Sequence, residues 1–89
     1  MAVASIIADG ITEANSSDFT LAAGESATLS IRGAGGPGAK VKIQLKASDS
    51  TYDDFGYLDS QNRVVVLSAI GTFRCVKLAA TTAYGVDKA

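Results

Sequence analysis

Apolar and polar side chains alternate residue by residue along Ala27-Thr28-Leu29-Ser30-Ile31-Arg32 and again along Lys40-Val41-Lys42-Ile43-Gln44-Leu45-Lys46. A period of two is that of a β-strand with one buried face. It sends Leu29, Ile31, Val41, Ile43 and Leu45 toward a core, and Thr28, Ser30, Arg32 and the lysines toward solvent. Between the runs lies Gly33-Ala34-Gly35-Gly36-Pro37-Gly38. Its glycines permit positive φ and Pro37 cannot join a ladder, so the pattern predicts a hairpin reversal there. Lys40, Lys42 and Lys46 then read as a solvated face that guards a strand edge against unwanted pairing.

The same reading extends along the chain. Ala2–Ala8 is a strand ended by Asp9-Gly10, and Asn15–Asp18, Ala22–Glu25 and Asp59–Asn62 are turn clusters. Phe19–Leu21, Thr72–Leu78 and Tyr84–Asp87 are further strands, and the pattern admits at most one helical turn, near Ile11–Ala14. The expected fold is all-β: a small antiparallel β-sandwich or barrel of roughly six to eight short strands. It forms a single domain over residues 1–89, with residues 1–17 as an N-terminal arm. Val64-Val65-Val66-Leu67 is continuously apolar, so alternate side chains point to both faces. The second face needs cover from a loop or another chain; the alanine-rich N-terminal segment is the candidate, with a contact between chains preferred.

Composition sharpens this. Hydrophobic residues make up 47% and charged residues 19% of the 89 residues, a low charge content for a small domain with so much surface. The apolar excess points to assembly into a homo-oligomer or onto another protein. Net charge is −1 with no run of one sign, which argues against nucleic acid and against an electrostatic membrane anchor. The N-terminal stretch has no basic flank and is too short to span a bilayer. Cys75 is the one cysteine, so no intramolecular disulfide forms, and synthesis and folding in a reducing cytoplasm are expected.

Catalysis finds little material. There is no histidine, hence no imidazole base and no histidine-containing metal site. Cys75 shares parity with Phe73 and reads as a buried small hydrophobe, with Arg74 on the opposite face. Gly33, Gly35 and Gly38 spell G-x-G-x-x-G, but a strand follows them where a dinucleotide site needs a helix. Asp49, Asp53, Asp54 and Asp59 are the one acidic cluster; their spacing matches no EF-hand, and no metal or cofactor is expected. Asn15-Ser16-Ser17 is a sequon by pattern alone. Tyr52, Phe55 and Tyr57 gather three of six aromatics, which form either a core cluster or an exposed platform for a sugar or protein. The chain reads as non-enzymatic, with Val3, Ile6, Ile7, Tyr52, Phe55 and Tyr57 as candidate protein-contact residues.

One resemblance extends this reading. The stretches Asp18–Leu29, Val41–Lys46, Gly71–Lys77 and Tyr84–Asp87 set short strands between small-residue turns. In this the chain resembles small β-rich virion structural proteins of tailed bacteriophages. The resemblance implies a virion component made in the host cytoplasm: a capsid decoration or cement protein that binds the capsid lattice. The alternative it implies is a tail or head-fibre module that binds carbohydrate or a host surface.

Overall fold

The alternating runs and their turns assemble into two antiparallel sheets in a computed structural model that describes residues 3–33 and 39–89. Nine short strands are described: β1 (Ala4–Gly10), β2 (Ala14–Asn15), β3 (Phe19–Leu21), β4 (Ala27–Arg32), β5 (Lys40–Lys46), β6 (Tyr52–Asp59), β7 (Val64–Leu67), β8 (Gly71–Lys77) and β9 (Tyr84–Lys88). The first sheet has the order β1-β9-β4-β7. In the second, β2 and β3 both pair one side of β8, and β5 and then β6 follow on the other. Every pairing is antiparallel. No helix occurs among the described residues, and the all-β sandwich expected from the pattern is what forms.

Strand parity sets the core. Ala27, Leu29 and Ile31 of β4 and Val86 of β9 face Val41 and Ile43 of β5, Leu58 of β6, and Phe73 and Cys75 of β8. Burying such side chains stabilises by about 1.5–3 kcal/mol each. The expectations for the flanking segments need correction. The stretch Ile11–Ala14 holds no helical turn; Ala14–Asn15 pairs Lys77–Val76 and adds the ninth strand. Residues 4–10 are not a free arm, because β1 pairs β9. Within one chain that segment does not cover Val64–Leu67, since β1 and β7 are opposite edges of one sheet.

The glycine joint is also different. β4 belongs to the first sheet and β5 to the second, so the joint crosses between layers instead of closing a hairpin. Gly33, with φ 92°, starts that departure; residues 34–38 lie outside the described residues. β5 is therefore an interior strand between β8 and β6, and its lysines guard no edge. Lys40 instead lies over the Tyr57 ring at 4.3 Å, and Lys46 pairs with Asp18 at 3.4 Å.

Two side chains pass between the sheets in opposite directions. Lys77 points inward from β8 and is only 2% exposed. Its ammonium donates to the carbonyls of Ala8 (3.3 Å), Gly10 (3.0 Å) and Tyr84 (3.1 Å), so all three of its donors are used on β1 and β9. Tyr84 points inward from β9 and is fully buried. Its hydroxyl donates to the Leu78 carbonyl and accepts from the Lys40 N–H at 3.2 Å, both in the second sheet's chain. The Lys77 ammonium also lies 5.2 Å from the Tyr84 ring.

On the outer face of the first sheet, Arg32 of β4 reaches across β9 to β1. It pairs with Asp9 at 2.8 Å and with Asp87, and donates to the Ile7 carbonyl at 3.1 Å. Gly85 makes the crossing possible: a Cβ there would stand 2.6 Å from the Ile7 carbonyl oxygen and 2.7 Å from the Asp9 carboxylate, and would collide with the guanidinium.

Two outcomes follow for thermal or denaturant unfolding. Lys77→Met keeps the apolar stem but strands three inward carbonyls, and is expected to lower stability by about 2–4 kcal/mol, counting charged hydrogen bonds lost and acceptors left bare. Gly85→Ala is expected to cost about 1–3 kcal/mol by overpacking, with Arg32 released from Asp9.

Candidate functional site

The reactive groups are sequestered or occupied locally. Cys75 is fully buried, as its parity with Phe73 predicts, and burial pushes its thiol up to about 12. Its backbone N–H donates to the Ser16 hydroxyl at 2.8 Å, which gives the middle residue of Asn15-Ser16-Ser17 a structural role. Arg74 lies on the other face, stacked over the Tyr52 ring at 3.6 Å and donating to Gln44. The aspartates do not converge. Asp49 accepts from the Thr51 hydroxyl and amide, which hold its carboxyl below the ordinary range. Asp59 accepts from the amides of Gln61 and Asn62, and Asp54 from Gln44. No group of three metal-ligating side chains occurs among the described residues.

The three aromatics of β6 are split by a β-bulge. Ile43 pairs Gly56 while its neighbour Gln44 pairs Asp54, which leaves Phe55 as the extra residue. Tyr52 and Tyr57 consequently face outward, paired with Lys46 and Lys42. Phe55 turns its ring edge-on to the buried Phe73, with centroids 5.4 Å apart. The Tyr52 hydroxyl donates to Asp18, so this ring is held on both its face and its tip. Phe55 and Tyr57 stay exposed, and no single flat platform of three rings forms. Closeness in sequence put all three together, and strict alternation would set Phe55 and Tyr57 on one face; the bulge that separates those two is invisible to it.

The N-terminal candidates divide likewise. Val3 is exposed, Ile6 is half-buried against the core, and Ile7 is 4% exposed opposite Val86. Ile7 is thus a core residue and is withdrawn as a contact. Ile6 and Ser5 line a shallow groove of about 320 Å³ with Ser17, Asp18, Phe19 and Lys88. The groove is open to solvent, and its two charged groups have opposite sign.

A further apolar surface lies at β7. Val65 and Leu67 face the core, while Val64 and Val66 point outward at 55% and 63% exposure beside Ser30 and Thr28. The sequence correctly divided this run between two faces; among the described residues of the chain nothing covers the outer one. Ile70 is exposed just beyond it.

The buried thiol gives a direct check. Thiol reagents are expected to leave the native protein unlabelled and to modify one thiol per chain in denaturant. Because the folded chain holds the Cys75 proton more tightly than the ordinary thiol at 9.0, stability from this group is intact below pH 9. It falls as pH rises from 9 toward 12, where the unfolded chain ionises first. Rapid labelling of the native protein would contradict the burial.

No protein-family model matches the chain, and no curated protein matches it either. Among solved structures, the fold is similar to the crystal structure of the SPBc2 prophage-derived protein YomS, with a TM-score of 0.73 at 8% identity. The similarity covers 98% of this chain and 88% of that one. At that identity it is a likeness of fold: this chain has the same two-sheet architecture from end to end.

Proposed function

We propose that this protein is a non-enzymatic structural component of a phage virion, and more specifically a capsid decoration protein that binds the capsid lattice. The observation that carries the reading is the end-to-end likeness of fold to a prophage-derived protein. The chemistry of the chain supports it: there is no histidine, the one thiol is buried, and Asp49, Asp54 and Asp59 are engaged in turns and a cross-strand bond. A rigid sandwich with apolar groups left on its surface suits repeated contact, where many weak docking events add through avidity. Phe55 and Tyr57 on the open β6 edge are the proposed lattice contact, with Val3 at the other side of the molecule. In this reading the protein is made in the host cytoplasm and ends in the particle.

The rival reading, a fibre module that grips a sugar, draws less support. Stacking on carbohydrate needs an open ring face, and the Tyr52 face is taken by Arg74 while its hydroxyl is taken by Asp18.

Mass spectrometry of purified particles from the genome that encodes the chain tests the proposal. Many copies per particle are expected, and tailless heads should bind added protein. Tyr57→Ala should weaken that binding with little change in the melting temperature. Expression without incorporation into particles would refute the virion reading. Incorporation into tails but not heads would refute decoration alone.

A further inference from the structure

Most strand edges that the two sheets leave open carry a guard. β1 has two register shifts against β9 and ends in Asp9-Gly10. β6 has its bulge with Asp53, Asp54 and Gly56, and β2 and β3 are only two and three residues long. Irregularity, charge and shortness are the devices that keep sheet edges from pairing with other chains. β7 has no irregularity and no charge: its four residues run in unbroken register against β4, without proline or glycine.

The ladder shows which of its backbone groups are open. The Ile31 N–H donates to the Arg63 carbonyl at 3.0 Å, while Thr28 exchanges both of its bonds with Ala89 on the β9 side. Bonded and non-bonded pairs alternate along an antiparallel ladder. Val65 and Leu67 therefore bond to β4, and Val64 and Val66 direct their N–H and C=O groups away from it. Among the described residues no side chain bonds to these groups. The two residues with open backbone groups are also the two with exposed side chains.

We propose that β7 pairs antiparallel with β7 of a second copy about a two-fold axis at Val65. This joins two four-stranded sheets into one of eight strands. In that register Val64 of each copy lies opposite Val66 of the other, so four N–H···O=C bonds form and the four exposed valines make one cross-strand cluster. The pairing has no charge conflict. The flanking Arg63 falls opposite Leu67, and its guanidinium is held by the carbonyls of Ile31 (3.2 Å) and Gly33 (2.6 Å) of its own chain. Hydrogen-bond pattern, side chains and charge are all self-complementary, which is the requirement of an isologous interface and selects a second copy. The inference is independent of the virion reading and can fail or hold without it.

Sedimentation equilibrium at high micromolar concentration is expected to give twice the 9.1 kDa chain mass. Val66→Pro deletes an N–H that the single chain does not use, so loss of the dimer with a retained β circular dichroism spectrum is expected. Val66→Lys, which leaves the backbone unaltered, should also give monomers by setting a charge in the valine cluster. Val65→Cys should cross-link through a disulfide on mild oxidation, because the axis brings the two copies of this residue together as a non-bonded pair within disulfide reach. Buried Cys75 adds no background to that readout. A wild-type mass of one chain, wild-type dimerisation by the Val66→Lys variant, or no cross-link at Val65→Cys would each overturn the proposal.

Discussion

The two sheets are held in place by an exchange of polar groups through an otherwise apolar core. Lys77 leaves the second sheet and ends on carbonyls of the first; Tyr84 leaves the first and ends on backbone groups of the second. Apolar packing is non-directional and would tolerate sliding of one layer over the other. A lysine with three assigned acceptors and a tyrosine hydroxyl with a donor and an acceptor do not, because each slip would leave buried polar groups unpaired. The pegs therefore fix the relative position of the layers as well as their separation. All buried side-chain polar atoms among the described residues have partners, so this specificity leaves no bare polar group behind.

That registration decides where the surfaces lie. Tyr84 and Lys77 anchor β9 and β8; β1 and β4 take their places on either side of β9, and β5 takes its place beside β8. The guanidinium of Arg32, laid across Gly85, ties β4 to β1 over the top of β9. With the interior of each sheet fixed in this way, irregularity is pushed outward to the edges. The bulge in β6 turns Phe55 onto Phe73, and β1 takes up its register shifts next to β9. β7 stays regular.

Much of this was legible in the sequence. Alternation placed Leu29, Ile31, Val41 and Ile43 in the core, put Cys75 with Phe73, and divided Val64–Leu67 between two faces. Each is a local consequence of a period of two. What alternation could not show is which strand neighbours which. The glycines after Arg32 suit a hairpin and a crossover equally, so β5 appeared as an edge when it is interior. A bulge adds one residue without changing composition, so the separation of Tyr57 from Phe55 left no trace. Lys77 is the clearest case. It shares the parity of Cys75 and Phe73, but lysine is so rarely buried that parity alone gave it no inward place, and only the carbonyls gathered from β1 and β9 explain it. Two of those carbonyls, at Ala8 and Gly10, lie 69 and 67 residues away in sequence.

The position of β9 has a temporal consequence. Its five residues sit between β1 and β4 and supply Tyr84 and Val86 to the core, so the first sheet cannot close without them. On a ribosome, strands β1 and β4 emerge early and must wait with their inner faces exposed until residues 84–88 are free of the exit tunnel. Closure of the first sheet thus waits for residues 84–88 and then occurs as one long-range event, in the slower regime of non-local β topologies. A chain stalled before residue 84 already holds β1, β4 and β7 and lacks the strand that joins β1 to β4.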